Sequence, residues 1–410
     1  MRSGPRWLGP ASLSDWQADR EARGLPTRLD VILLTHPRDE QDLPQMYPWT
    51  AELSKADRRA FTHHLEPVFG EIIETPRLAI GLLFLPRFAD ELVDPRTRAA
   101  CRNYLEDAGL AAVRAAGARV VCLGGLLGAL TGYGRRLAGF AAEHDVIITT
   151  GHSMTATSVL ATYARAVAEL ELDPSGARMA VLGVGSIGAA FAHLLARQPT
   201  RPRTLVLIDK PERATRVEVL ASQLRLSGLA VSVELTSRDG QLGAGSACYD
   251  AEYVVSATST PNVIDVDRVA PGSVLIDDSQ PNCWSREAAW QRVRRAEDVA
   301  PCEAGLINAG SIGYCSTFPF FLAEIDGSRA SPVTWCCLAE ALLLALDPSL
   351  PPTVGEPTPV ALERHSAAFA RAGFGPGRLQ CGRHFLPVER LRESFAGRAR
   401  GVRAVLAPAG

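Results

Sequence analysis

Three glycines, Gly183, Gly185 and Gly188, stand in GxGxxG spacing inside MAVLGVGSIGAAFA (179–192), and an acid, Asp209, closes the apolar run TLVLID that follows. A buried strand that feeds such a turn and then a helix brings backbone N–H groups against a dinucleotide pyrophosphate, and an acid about twenty residues on reaches the adenosine ribose. Gly183 permits the tight turn, Gly185 removes the side chain that would block the phosphates, and Gly188 lets the helix approach the sheet. Val184, Ser186 and Ile187 complete the loop. Asp209 favours the two ribose hydroxyls of NADH, whereas Lys210 and Arg213 are placed to grip the extra phosphate of NADPH, so the cofactor reads as NADPH or NADH. Ala257, Thr258 and Ser259, in SATS after another strand, are expected beneath the nicotinamide ribose; Ala309 and Gly310, in INAG, are expected to bring backbone close to the nicotinamide.

A second set of reactive types lies outside this loop. Thr150, Gly151, His152 and Ser153 form a strand-to-helix turn in TTGHSMTA, where amides and hydroxyls are presented to a ligand, and we take them as the substrate side. Cys336 and Cys337 lie in SPVTWCCLAEALLLAL (331–346), in which Ser331 reads as a helix cap and Pro332 as the first helical residue; both thiols then fall in the second turn. Adjacent helical residues point in different directions. One thiol can therefore pack as a small hydrophobe while the other faces a cleft, and both readings stay open at this point. Asp277 and Asp278, in VLIDDSQP, read as strand-end caps, since a third metal ligand is not evident.

The elements that must position these residues alternate. LDVILLTHP (29–37), RLAIGLLFLP (77–86), ARVVCLGG (118–125) and HDVIITT (144–150) read as strands, and residues 95–117 have an apolar spacing near 3.6 that predicts a helix with one buried face. The predicted fold class is α/β: a Rossmann dinucleotide-binding domain at 166–310, an N-terminal α/β substrate domain at 31–165, and a C-terminal helical segment at 311–410 that carries the cysteines. Residues 1–30, rich in Arg, Gly and Pro, read as a flexible arm.

Composition narrows the chemistry. A formal charge of −2 and 47% hydrophobic residues over 410 positions give no nucleic-acid surface, and the apolar runs are too short to span a bilayer. The N-terminus has no apolar core like that of a secretory signal, which predicts a cytoplasmic protein. Nine cysteines without CxxC or HxxxH spacing argue for thiols and against a structural metal. The only lysines are Lys55 and Lys210, so a lysine general acid or Schiff base has almost no candidate. A homodimer is expected from the frequency of such assemblies alone.

From about 30 to 390 the chain resembles the long-chain acyl-(acyl-carrier-protein) reductases of cyanobacteria, which make fatty aldehydes. The resemblance is carried by FLPRFADEL (84–92), CLGG (122–125), TTGHSMTA (149–156), the glycine loop, VLIDDSQP (274–281), INAG (307–310) and CCLAEALLL (336–344). It implies that Cys337 is the acyl-accepting nucleophile. It further implies that the thiolate takes an acyl group from an acyl carrier protein or coenzyme A thioester, and that NAD(P)H then reduces the bound acyl group to an aldehyde. An ordinary cysteine, with a pKa of about 8.5, is only a few per cent thiolate at neutral pH, so His152 or Ser153 is expected to assist it. A helix dipole fades beyond the first turn and offers little at the depth predicted for Cys337. Glu340 matches a glutamate of the family without an assigned role, and a surface ion pair is the plain account of it. Arg292, Arg294 and Arg295 are expected to meet an acidic carrier.

Three departures from the family concern cofactor and substrate: a shorter glycine loop than its GxxGxxG, His152 where Asn is usual, and LLGA (126–129) after CLGG in place of aromatic and hydroxyl residues. The first leaves the choice between NADH and NADPH open, and the other two imply a substrate shorter or more polar than a long fatty acid. Two alternatives remain. One is a shikimate-dehydrogenase-like carbonyl or alcohol oxidoreductase without a covalent intermediate, against which the missing lysine counts. The other is a non-catalytic nucleotide-sensing or carrier-binding module.

Overall fold

Short runs of Val, Ile and Leu closed by glycine, proline or an acid make strands that are buried along their length, and this chain arranges them into a five-stranded and a six-stranded sheet, with a three-stranded and a two-stranded sheet besides. The computed structural model describes residues 12–318 and 330–396. Of these, 12–155, 307–318 and 330–375 form one compact unit and 156–306 and 376–396 a second.

In the first unit the strands are β1 (Val31–Thr35), β2 (Val68–Glu74), β3 (Ala79–Phe84), β4 (Val120–Leu123) and β5 (Ile147–Thr149), in the order β2-β3-β1-β4-β5. Every pairing is parallel except β2 with β3. β1 sits at the centre, which is why all five residues of VILLT are buried. Its Leu33 stands opposite Cys122 of β4, and Cys122 in turn opposite Thr149 of β5. The helix expected at 95–117 runs from Arg98 to Ala116 with a π turn at Leu105–Gly109, and Gly117 ends it at φ +62°.

In the second unit β6 (Arg178–Leu182), β7 (Thr204–Asp209), β8 (Ala230–Leu235), β9 (Tyr253–Ser256), β10 (Ser273–Asp277) and β11 (Val299–Glu303) form one sheet in the order β11-β10-β9-β6-β7-β8. All five pairings are parallel. Counted within this unit, that is the doubly wound order 3-2-1-4-5-6, whose strand order reverses between β6 and β9. The turn after β6 lies at this switch point, and it is the glycine loop.

The predicted α/β class with a Rossmann-type sheet is what the chain adopts. Three expectations about its ends and joints differ. The N-terminal segment is anchored from Ser12 onward: a helix, Ser12–Ala22, buries Trp16 completely, and its indole N–H donates to Glu74 at 2.9 Å. Arg, Gly and Pro composition hid this one aromatic anchor; residues 1–11 lie outside the described residues. The C-terminal segment divides between the units instead of standing apart. Helices Cys336–Leu346 and Pro359–Arg371 belong to the first unit, whereas Leu379, Cys381, Leu386, Leu391 and Phe395 join the core of the second. The boundary between units falls at 155/156, inside the helix His152–Glu169. No helix among the described residues is long and apolar enough to cross a membrane.

Candidate functional site

The glycine loop shows three glycines needed for three reasons. Gly183 has φ +85°, and a Cβ there would stand 2.5 Å from the Ala257 carbonyl oxygen, so the loop lies directly against the Ala257–Ser259 turn. A Cβ on Gly188 would stand 2.1 Å from the Gly183 carbonyl oxygen, which is why the helix Ser186–Ala196 can start so close beneath the loop. Around Gly185 nothing lies within 4 Å of where a Cβ would project. That open space, at a helix N-terminus whose first N–H groups have no intrahelical acceptor, fits a pyrophosphate.

Asp209 is buried at the end of β7. Its Oδ2 accepts from the Val184 N–H at 2.9 Å and its Oδ1 from the Lys210 N–H at 2.8 Å. The carboxylate therefore pins the loop to the neighbouring strand, with acceptor capacity left for ribose hydroxyls. The Lys210 stem passes over Gly240, where a Cβ would meet its Cε at 2.8 Å. Thr258 is fixed by its N–H donating to Ser279 Oγ at 3.0 Å. Behind that turn Asp277 caps the strand end as expected, accepting from Ser256 Oγ at 2.7 Å and from the Ser279 and Cys283 N–H groups. The second unit thus brings together Gly183, Val184, Gly185, Ser186, Ile187, Gly188, Asp209, Lys210, Ala257, Thr258 and Ser259. Ala309 and Gly310 belong to the first unit.

The first unit gathers the cysteine region from five stretches of chain. The helix that carries the thiols does not begin at Ser331. Ser331 forms an isolated bridge with Ser316, Val333–Trp335 is a short strand, and the helix runs Cys336–Leu346 with Trp335 as its N-cap. The β-branched residues of SPVTW take the extended form that the Ser-Pro cap signal masked. Cys337 consequently occupies the first helical turn and not the second. There the helix dipole does favour a thiolate.

The two cysteines separate cleanly. Cys336 is buried and its thiol bonds Thr155 Oγ1 at 3.2 Å, while Cys337 is partly exposed. Gly151, at φ +71°, lies so close that a Cβ on it would stand 2.4 Å from the Cys337 Cα. The Cys337 thiol sits below its ordinary pKa. The Cys122 thiol is the main cause, burial opposes it, the backbone of Leu338 and of Cys337 itself assists, and the Glu340 charge opposes. Cys122, fully buried in β4, is pushed well above the thiol range, first by burial and then by the Cys337 thiol.

Glu340 is not a surface group. It is completely buried, accepts from the Thr149 hydroxyl, from the Thr353 N–H at 2.9 Å and from the Met154 N–H at 3.2 Å, and stands 3.8 Å from the equally buried His365. One carboxylate so ties the cysteine helix to the turn after β5.

The hydroxyls expected to face a ligand are engaged within the protein. Thr150 donates its N–H and its hydroxyl to the Thr353 carbonyl at 2.9 and 3.1 Å, and Ser153 shares a 2.7 Å bond with the Thr353 hydroxyl. Thr150, Gly151 and Ser153 thus form the buried support under Cys337. His152 is buried too, edge-on to Tyr133 at 5.6 Å, and burial lowers its pKa to about 4, so at neutral pH it carries no charge to steady a thiolate. The groups that favour the thiolate are Cys122 and the helix N-terminus. Neither had been expected in that role.

Other residues went unread in the sequence. His36 follows β1, and its Nε2 accepts from the Leu126 N–H at 3.1 Å, which pins the turn after CLGG. Thr353 lay in a stretch that reads only as a Pro/Thr/Gly break. Of the arginines assigned to a carrier, Arg292 is buried in a two-bond pair with Asp298, both bonds at 3.0 Å, and Arg295 pairs with Asp267 at 3.0 Å.

No protein-family model matches the chain. Solved structures with distant likeness include one component of dipicolinate synthase from Bacillus halodurans, with 14% identity and a TM-score of 0.28 over 42% of this chain; the match spans 55% of that one. L-tryptophan dehydrogenase from Nostoc punctiforme shares 9% identity at a TM-score of 0.38, covering 92% of this chain and 90% of the other. Quinate dehydrogenase from Corynebacterium glutamicum, solved with NAD, shares 14% identity at 0.32, covering 90% and 99%. At these scores the likeness bears on neither substrate nor mechanism.

Proposed function

We propose that this protein is a nicotinamide-dependent oxidoreductase and, more narrowly, that it reduces an acyl thioester of a carrier protein or coenzyme A to an aldehyde through a thioester on Cys337. The first part is supported by the glycine loop at the switch point of a Rossmann-ordered sheet, open at Gly185 and tied to Asp209. The narrower part rests on one observation: of the two adjacent cysteines, the one the family resemblance implies is partly exposed, in the first turn of a helix, with its thiol pKa lowered.

In this reading the Cys337 sulfur attacks the acyl carbonyl, the bond to the donor sulfur breaks, and the departing thiolate takes up a proton. Thiol exchange is nearly balanced in energy and keeps the carbonyl electrophilic; a hydroxyl would leave an unreactive ester. When bound, NAD(P)H would supply hydride to the acyl carbon, and the Cys337 sulfur leaves as thiolate as the aldehyde forms. The Gly183–Gly188 loop and the Ala257–Ser259 turn bind and orient the nucleotide, while Gly151 and Glu340 fix the position of the thiol. Neither lysine serves this chemistry: Lys55 is exposed at the start of the helix Lys55–Thr62, and Lys210 is part of the nucleotide loop.

Direct hydride transfer to a carbonyl without a covalent intermediate is the competing reading, and the dehydrogenases named above give no support to a thioester step. Mass spectrometry after incubation with an acyl thioester and no nicotinamide separates the two. The covalent route predicts an acyl adduct on wild type and Cys336→Ala and none on Cys337→Ala. Cofactor binding without any adduct removes the thioester step. A panel of thioesters then tests substrate polarity: preference for palmitoyl or stearoyl carriers would reject a short or polar substrate.

A further inference from the structure

His365 is wholly buried and has no part in the reaction assigned above. It stands on the helix Pro359–Arg371, and its Nδ1 lies 2.8 Å from the Ala361 carbonyl oxygen one turn back. A carbonyl only accepts, so Nδ1 carries a hydrogen and donates it. Nε2 then faces Glu340 Oε1 at 3.8 Å and makes no hydrogen bond among the described residues. In a neutral ring this nitrogen would be a bare lone pair aimed at a carboxylate oxygen, acceptor against acceptor inside the protein. Oε1 already accepts from the Thr149 hydroxyl and the Thr353 N–H, which fills its lone pairs, and Oε2 accepts from the Met154 N–H. The hydrogen between ring and carboxylate therefore belongs on Nε2. Among the described residues no arginine or lysine pairs with Glu340, and a carboxylate buried this deeply without a cation is very costly.

We propose that His365 is a positioning residue for the reaction assigned above: held as an imidazolium against Glu340, it cancels the carboxylate charge beside Cys337 and lets that sulfur persist as a thiolate. This rests on Cys337 being the nucleophile. Cys337 and Glu340 are three residues apart on the helix Cys336–Leu346, and such residues have Cβ atoms about 5–6 Å from each other, so a bare carboxylate would act on the sulfur at close range. The imidazolium turns that lone negative charge into a neutral couple. The other ionisable groups nearby supply no cation. Cys336 is bonded to Thr155 Oγ1, Cys122 is kept a neutral thiol by burial, and His152 is uncharged at neutral pH. Glu363 and Arg364, beside His365 in sequence, are exposed. No proton passes between ring and thiol: Cys337 loses its own to solvent, and the departing donor thiolate takes one up.

The test is the pH dependence of Cys337 alkylation by iodoacetamide in the full chain under reductant, located by peptide mass spectrometry, in wild type, His365→Gln, Glu340→Gln and the double variant. His365→Gln should raise the midpoint by about one pH unit, which cuts the reactive thiolate about tenfold at neutral pH. With Glu340→Gln already in place the same substitution should leave the midpoint where it is, because no charge remains to be offset. Equal midpoints in wild type and His365→Gln overturn the proposal, and so does an equal rise in both backgrounds, which marks packing and not charge. Should the variants not fold, nitrogen NMR of wild type labelled in its histidines reads the ring directly. Hydrogen on both nitrogens of His365 at neutral pH supports the charge pair, and a lone pair on Nε2 refutes it. A shifted alkylation midpoint without any acyl adduct from a thioester would sink the thioester reductase reading and leave the charge pair standing.

Discussion

The glycine-loop region and the cysteine region are built from opposite materials. The first is made of backbone: glycines whose missing side chains let a loop, a turn and a helix approach one another, with Asp209 holding the loop in place. The second is made of side chains drawn from 122, 149–155, 337–340, 353 and 365, joined through the buried carboxylate of Glu340. A backbone site loses its packing or its ligand space when atoms are added. A side-chain site tolerates no lost partner.

That contrast predicts where each region breaks. Glu340→Ala should be the most damaging single change, because it leaves the Met154 N–H without its acceptor and takes from the Thr149 hydroxyl and the Thr353 N–H the shorter of their bonds; a loss of about 3–5 kcal/mol is expected in urea unfolding. A loss below 1 kcal/mol would show that the carboxylate is not what joins the helix to the turn. In the glycine loop, Gly188→Ala forces a carbon against a backbone oxygen and should cost about 1–3 kcal/mol together with nucleotide binding. Gly185→Ala has room for its methyl and should keep stability, yet weaken NAD(P)H binding in a fluorescence titration. Equal behaviour of the two alanine variants would erase the distinction between packing glycine and ligand glycine.

The cysteine region also carries a pH signature. His36 and His152 are each pushed down to about 4 by burial, below the ordinary 6.5. The unfolded chain binds more protons between these values, so stability is full above about pH 6.5 and falls as pH drops towards 4, by about 1–3 kcal/mol per histidine. Denaturant titrations at pH 7 and pH 5 measure this, and His152→Asn should flatten part of the slope. The smallest effect concerns cofactor choice. Asp209→Asn keeps one acceptor for a loop N–H and removes the charge, so relative affinity should move from NADH towards NADPH by about tenfold or less. An unchanged ratio would mean that Asp209 serves only as the loop's anchor.

Legibility followed the same divide. GxGxxG, the apolar strands and the distant acid are local patterns, and each became the element its pattern predicted. The burial of Trp16 was missed because one aromatic residue in a polar segment gives no period to read. The start of the cysteine helix was missed by four residues, since Ser-Pro signals a helix N-terminus while the Val-Thr-Trp that follows extends into a strand.

Sequence by itself determined the glycine turn, because a tight turn, a bare backbone and a following helix are properties of consecutive residues. Tertiary structure alone decided the fate of the thiols. Whether a sulfur ionises depends on what stands beside it, and Cys122 and Gly151 reach Cys337 only through the register of β4 with β5 and the docking of one helix upon them.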